Sequence, residues 1–432
     1  MHSVKDQFKI STTVIQRKAF VFKLKPDGAC RRKLSRFCGC ARFVYNRGLA
    51  WNKECREKDP TFKLSYSKLC ALLPEWKKEL PWLADCHSQV LQQALRDLEA
   101  AFKNFFEGRS GFPKFHKKGG SRDAFRYPQG FKIDEGRRQV YLPCIGWVNY
   151  RRSRFIEGKP KNITVSRKAD GWYVSIQTEC EVAEPVHPMA GVEVGADVGV
   201  KKFLTLSDGT VYMPLNSLKR NLQQLAKLQR RLKRMKKFGR NWRKLQFKIA
   251  KLHKHVADAR MDHLQKVSTD VCKKHAVVYR EDLKIRNMTA SAAGTLEEPG
   301  KNVKRKSGLN RAILDQGWGM LFTMLDYKMA ELGGAVYAVP PQYTSQTCPK
   351  CGHVSAENRR TQSTFRCTAC AYAANADLVA SVNILGRGQR LRACGELLCT
   401  VSEVQVSRRS RKGRVVQQQE SHRRDLQAPQ NA

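Results

Sequence analysis

The chain has 432 residues, 41% of them hydrophobic, and 81 Lys+Arg against 38 Asp+Glu give a formal charge of +43. That length is enough for about two to four domains with a sizeable core. Self-repulsion on this scale disfavours a compact chain unless a polyanion neutralises it, and nucleic acid is the natural partner. A membrane is excluded as the expected partner, because no apolar run approaches bilayer-spanning length and no basic amphipathic helix with an aromatic face stands alone. Residues Met1 to Thr13 lack the apolar core of a signal peptide. The expectation is a cytoplasmic, nucleoid-associated prokaryotic protein. Its fifteen cysteines are then no disulfide framework. Most, such as Cys38, Cys40 and Cys272, read as small buried hydrophobes or incidental thiols.

In chain order, the alternation of Phe20, Phe22 and Leu24 with lysines predicts a strand over Lys18 to Lys25, ended by Pro26-Asp27-Gly28. Leu34, Phe37, Cys38, Ala41, Val44, Tyr45 and Leu49 follow at helical spacing. A second helix carries Leu91, Leu95, Leu98, Phe102 and Phe105, with Ser88 or Asp85 as its cap. Residues 31–121 thus read as a helical domain. Short strands at Gln139 to Leu142, Ile163 to Val165 and Trp172 to Ile176 come next, the last two joined through Ala169-Asp170-Gly171. With the first strand they form a β-barrel over 1–30 and 122–185, interrupted by the helices. Glu184-Pro185-Val186-His187-Pro188 marks a boundary.

Beyond it, strands at Val192 to Val194, Phe203 to Leu206 and Thr210 to Tyr212 precede a long helix pair with a Leu218, Leu222, Leu225, Leu228 stripe. Fifteen Lys/Arg and no acid lie from Lys219 to Lys254, which suits a phosphate-binding face. Phe238, Trp242 and Phe247 are expected mostly in the core. A strand at Ala276 to Tyr279, a loop-like stretch over Gly294 to Lys306, a helix over Leu309 to Leu332 and a strand at Ala335 to Val339 complete a β-β-β-α-β-α-β-α order. That order resembles the ribonuclease-H-like class. Residues 396–432 read as a disordered basic tail.

Three acids fall where such a domain could use them. Asp197 ends a strand among glycines, Glu281 follows the run Val277-Val278-Tyr279, and Asp377 opens a helix. A lone strand-end Asp is often a turn or cap residue, and Asp282 competes with Glu281. Together, the three acids could hold two Mg2+ ions for phosphodiester hydrolysis. Cys348, Cys351, Cys367 and Cys370 stand as C-x2-C-x15-C-x2-C, the pattern of a closed structural Zn2+ site. His353 is expected not to be a ligand.

Several segments resemble the TnpB family, transposon-encoded RNA-guided DNA endonucleases related to compact type V CRISPR effectors. They are Gly39-Cys40-Ala41-Arg42-Phe43-Val44-Tyr45-Asn46, Gly111-Phe112-Pro113-Lys114-Phe115, Val194 to Gly209, Glu281-Asp282-Leu283, Tyr343 to Gly352, Asn375-Ala376-Asp377 and Asn383-Ile384-Leu385. The resemblance implies a multidomain α+β fold: a WED-like β-barrel with an inserted REC-like helical domain, then an RNase-H-like RuvC α/β domain over 189–345 and 374–395, with an inserted zinc ribbon over 346–373. It implies Asp197, Glu281 and Asp377 as the catalytic, metal-binding carboxylates, and two Mg2+, one Zn2+ and a guide RNA as cofactors. Target double-stranded DNA would be cut beside a short flanking motif, with pairing to the guide supplying sequence specificity. The alternatives are a nuclease-inactive RNA-guided DNA-binding repressor and a guide-independent DNA-binding transposition protein. Two positions depart from the family pattern: Ala371 stands for the usual glycine, and Val379 for the usual asparagine.

Overall fold

The computed structural model describes residues 13–119, 123–295, 297–397 and 399. Strand β1 (Thr13–Leu24) leads into the 31-residue helix α1 (Gly28–Lys58), whose first turn is capped by the Asp27 carboxylate accepting from Cys30 N at 2.6 Å. Short helices α2 (Tyr66–Ala71) and α3 (Leu73–Glu79) precede α4 (Ser88–Phe106). Leu34, Val44 and Leu49 of α1 are fully buried with Leu91, Leu95 and Leu98 of α4, as the helical spacing requires. Neither expected cap serves α4. Its cap position is His87, Ser88 accepts from Lys77 Nζ at 2.7 Å, and Asp85 pairs with Arg36 at 2.8 Å.

The chain then adds β2 (Ala124–Tyr127), β3 (Lys132–Asp134), β4 (Gln139–Leu142), β5 (Gly146–Arg151), β6 (Lys159–Lys168) and β7 (Gly171–Ala183). With β1 they form an antiparallel sheet in the order β2-β6-β7-β1-β5-β4-β3. β1 pairs with β7 along its whole length but meets β5 only through Lys23↔Arg151 and Leu24↔Tyr150. The β3–β5 meander therefore joins the long strands only at the end of β1. Among the described residues no ladder joins β2 to β3, so the expected barrel is a sheet curled around Phe22, Tyr127 and Val174.

A second sheet is built from β8 (Glu193–Val198), β9 (Leu204–Leu206), β10 (Val211–Tyr212), β11 (Val277–Glu281) and β12 (Ala335–Val339) in the order β10-β9-β8-β11-β12. β8, β11 and β12 run parallel, while β9 and β10 are antiparallel additions. Between β10 and β11 stand α5 (Ser217–Lys233) and α6 (Arg240–Lys274), and between β11 and β12 stand α7 (Ile285–Met288), α8 (Val303–Gln316) and α9 (Trp318–Leu332). The single helix expected over Leu309 to Leu332 is two, because Gly317 takes φ +76 and turns the chain. Its first half also begins earlier, at Val303, inside the stretch read as loop.

Only Leu225 of the expected leucine stripe is buried on α5, and polar anchoring supplements that thin apolar contact. Asp315, 5% exposed, accepts from Leu218 N at 3.0 Å, Lys219 N at 3.1 Å and Arg260 Nη2 at 2.9 Å. One carboxylate thus caps α5 and ties it to α6 and α8. Farther along, α6 meets the first sheet, where Lys254 lies 3.5 Å from Asp170 in the β6–β7 turn. Burial acts to raise the Asp170 pKa. Hydrogen bonds from Tyr173 and Lys23, with the Lys254 charge, overcome it and hold the carboxyl at about 2.

The last described segments are β13 (Thr364–Arg366), β14 (Ala373–Asn375) and α10 (Ala376–Ala393). α10 lies directly on the second sheet. A Cβ on Gly195 of β8 would stand 2.1 Å from Ser381 O, and one on Gly388 of α10 would stand 2.1 Å from the Tyr279 ring. Only glycine permits either approach. The expected tail lies outside the described residues except at 396, 397 and 399. There Leu397 packs beside Tyr279 and Val339, and Cys399 bridges to Tyr337. Among the described residues no helix is long and apolar enough to cross a membrane.

Candidate active site

The parallel strands β8 and β11 end side by side, with Ala196 paired to Arg280. One residue on, Asp197 and Glu281 emerge at the carboxyl ends of adjacent strands, where open α/β sheets present their ligand sites. α10 starts above them. Its cap Asn375 accepts from Asp377 N at 3.2 Å, which sets Asp377 in the first turn of that helix. The close packing at Gly195 fixes this turn over the strand ends.

Asp197 feels both of the other carboxylates. Burial, then the negative charges of Glu281 and Asp377, push the Asp197 carboxyl up to about 8, against a weaker opposing pull from Arg359. Burial also raises Glu281, opposed by a hydrogen bond from Thr344 and by the charges of Arg387 and Arg359. Thr344 Oγ1 donates to Glu281 Oε1 at 2.5 Å. The loop carrying it is held by Asn383 of α10, whose Nδ2 donates to Thr344 O at 2.8 Å and Thr347 O at 2.7 Å. Asp377 is flanked by Lys202 Nζ at 3.6 Å and Arg359 Nη2 at 3.7 Å. An oxygen-only donor set with three acids, one of them strongly destabilised as an anion, fits a hard divalent cation. Asp282 does not compete for this place, because its carboxylate pairs with Lys284 at 2.6 Å.

The cysteine quartet is a second, separate arrangement. Its four sulfurs lie within 4.8 Å of one another, with Cys348–Cys370 and Cys351–Cys367 at 3.6 Å. An ideal zinc tetrathiolate has sulfur–sulfur edges of about 3.8 Å, from its Zn–S length of about 2.3 Å, so the cluster fits that ion. His353 serves through its carbonyl, which accepts from Cys348 N at 2.9 Å. Among the described residues no other group of three or more such side chains gathers its ligand atoms as closely. The three acids are not gathered within that spacing, though Asp197 feels the charge of both others.

Both departures from the family pattern acquire a physical meaning. Gly352 and Ala371, each following the second cysteine of a knuckle, take φ +75 and +56. Ala371 therefore bears the left-handed backbone that glycine adopts freely. Val379, 1% exposed, packs with Cys348, Phe365, Cys367 and Ala376. It fastens the cysteine ribbon to α10, while Lys202 and Arg359 flank Asp377.

Family models match three stretches: "Probable transposase" over 175–292, "Helix-turn-helix domain" over 16–59, and "Cas12f1-like, TNB domain" over 318–384. The "Putative RNA-guided DNA endonuclease InsQ" of Escherichia coli (strain K12) is 52% identical, covering 88% of this chain and 94% of that protein. The chain belongs to the TnpB family of transposon-encoded RNA-guided DNA endonucleases. A "Putative RNA-guided DNA endonuclease" of Streptomyces pristinaespiralis is 33% identical over 88% of this chain and 91% of its own length. Cas12f1 of Sulfoacidibacillus thermotolerans is 50% identical over 58 residues, 13% of this chain and 14% of that one. In this TnpB chain, the stretch matching the helix-turn-helix model is β1 followed by the single continuous helix α1.

Sequence reasoning singled out the three acids and four cysteines but missed Lys202, Arg359, Thr344 and Asn383. Lys202 and Arg359 are two cations among 81, and only folding shows which ones face an acid. Thr344 and Asn383 did lie in segments that resemble the family, which was the available signal. The aromatic reading also needs correction: Phe238 is 61% and Phe247 50% exposed.

Proposed function

We propose that Asp197, Glu281 and Asp377 are the catalytic carboxylates of an RNA-guided DNA endonuclease, and that they hold two Mg2+ ions. The observation that carries this reading is geometric: Asp197 and Glu281 leave the ends of paired parallel strands, and the first turn of α10 brings Asp377 close enough for its charge, with that of Glu281, to raise the Asp197 carboxyl. A half-buried acid crowded by two others is costly to the folded chain alone and suits a cation. Bound there, Mg2+ supplies an activated water and stabilises the leaving oxygen of a phosphodiester.

The side chains divide the remaining work. The Thr344 hydroxyl fixes one oxygen of Glu281, and the other would be free to help hold the cation. Lys202 and Arg359 neutralise Asp377 and offer donors to a phosphate entering the cleft. The cation-rich α5–α6 face attracts nucleic-acid backbone without reading sequence. Guide pairing selects the target, and the first sheet with its helical insertion reads a short flanking motif. The cysteine ribbon, with structural Zn2+ in its four thiolates, shapes the cleft by carrying Arg359.

The test uses the full chain purified with its co-expressed RNA and DNA matching that RNA. Cleavage that requires Mg2+, stops with EDTA and is lost in Asp197→Ala supports the proposal. Guide-dependent binding without any cut by the wild type selects the repressor reading. Sequence-specific DNA binding that survives RNA removal selects the guide-independent one.

A further inference from the structure

The α5–α6 hairpin ends in a tip that the carboxylate cleft does not use. There Phe238 is 61% exposed and takes φ +65. Its ring meets that of Trp242 edge-on at 5.4 Å, and Lys237 Nζ lies 5.4 Å from the Phe238 centroid. Nine Lys/Arg and no acid lie from Arg230 to Lys244. A bulky residue in the left-handed region is a backbone outlier. Burial usually offsets such a cost, but this ring is in water. Nothing in the fold of the chain itself accounts for a strained, exposed aromatic at the most cationic part of the molecule.

Position narrows what the ring could meet. α5 has 17 residues, so its far end lies about 25 Å from the end anchored by Asp315. On α6, the 14 residues between Arg240 and Lys254 carry the tip about 21 Å past the contact with Asp170. The tip thus stands well clear of both contacts that anchor the hairpin. An aromatic edge on a narrow turn is also poorly shaped for reading paired bases in a groove. The face of an exposed ring there suits stacking on a base already splayed from its helix, the usual mode for single-stranded RNA.

We propose that Phe238 and Trp242 form a stacking platform for an unpaired base of the guide RNA, with Lys236, Lys237 and Arg240 neutralising the adjoining phosphates. The proposal rests on the RNA-guided reading above. It adds a specific aromatic contact to what is otherwise a diffuse electrostatic face.

RNA affinity of the full chain is measured across a salt series for wild type, Phe238→Gly, Phe238→Leu and Lys236→Ala, with single-stranded DNA of the same sequence as a second ligand. Phe238→Gly removes the ring and relieves the left-handed backbone, so its melting temperature should hold or rise. Its RNA affinity should fall about tenfold, as loss of one stacked base implies, with the salt slope unchanged. Phe238→Leu keeps an apolar side chain and should lose a similar factor. Lys236→Ala should lower the slope by about one. Unchanged RNA affinity in both Phe238 variants overturns the proposal, as does an equal or larger loss on the DNA. Wild type that binds no RNA defeats the RNA-guided reading as well, whereas wild type that binds RNA while both variants match it removes only the platform.

Discussion

The acid cleft and the cysteine cluster meet within seven residues of chain, between Cys370 and Asp377, yet they are opposite kinds of site. Four sulfurs already gather within 4.8 Å, and a tetrathiolate leaves no coordination position for a substrate. The three acids gather less closely than that, and cations lie 3.6 and 3.7 Å from Asp377. A structural site is complete when its ligands have converged. The proposed catalytic site is left unsatisfied, with its Asp197 carboxyl raised by burial and by two neighbouring acids.

The largest effect should come from the open site. Asp197→Ala should lower guide-dependent cleavage by about 10³-fold or more while leaving RNA binding and zinc content unchanged. A loss of zinc in that variant would show the two sites to be one unit. Next, Cys367→Ser should reduce bound zinc to a small fraction of wild type, read by elemental analysis, and weaken cleavage because the ribbon no longer presents Arg359. Thr344→Val tests a single supporting hydrogen bond. Freeing Glu281 should cost about 10- to 100-fold in cleavage or in Mg2+ affinity, and a variant with wild-type Mg2+ titration would remove Thr344 from the account.

Smaller effects separate the sites by pH and by backbone. The Asp197 carboxyl is raised from its ordinary value to about 8, so its protonated form belongs to the folded state. The stability this confers is present below the unfolded value near 3.8 and is lost as pH rises through about 8. Without metal, Asp197→Asn should therefore raise the melting temperature by a few degrees at pH 8.5 and hardly at all at pH 4. The smallest change belongs to the closed site. Ala371→Gly relieves a φ of +56 and should stabilise the zinc-loaded ribbon by about 1 kcal/mol, seen as slower zinc loss to a chelator.

The sequence made some of this legible and hid the rest for physical reasons. Strand ends at Asp197 and Glu281 follow from apolar runs that a parallel sheet buries, and cysteine spacing is a local signature. Gln139 to Leu142 and Ala335 to Val339 were readable to the residue because alternation or continuous burial decided them. Lys202, Arg359 and Thr344 carry no local mark, since their role arises from contacts far along the chain. Phe238 and Phe247 misled because a large ring is more often inside than out. The cation density around them was the contrary clue.

The seating of α10 bears on how the protein comes to life. Domains fold from the N-terminus as the chain is made, and Asp197 and Glu281 can reach their strands while later residues are still unsynthesised. Asp377 cannot join them until α10, through Ala393, has left the ribosome and settled against Gly195 and Tyr279. On the proposed assignment of the three acids, a nascent chain without that helix holds an incomplete set of carboxylates. Its capacity to cut would then wait on the completion of one late helix.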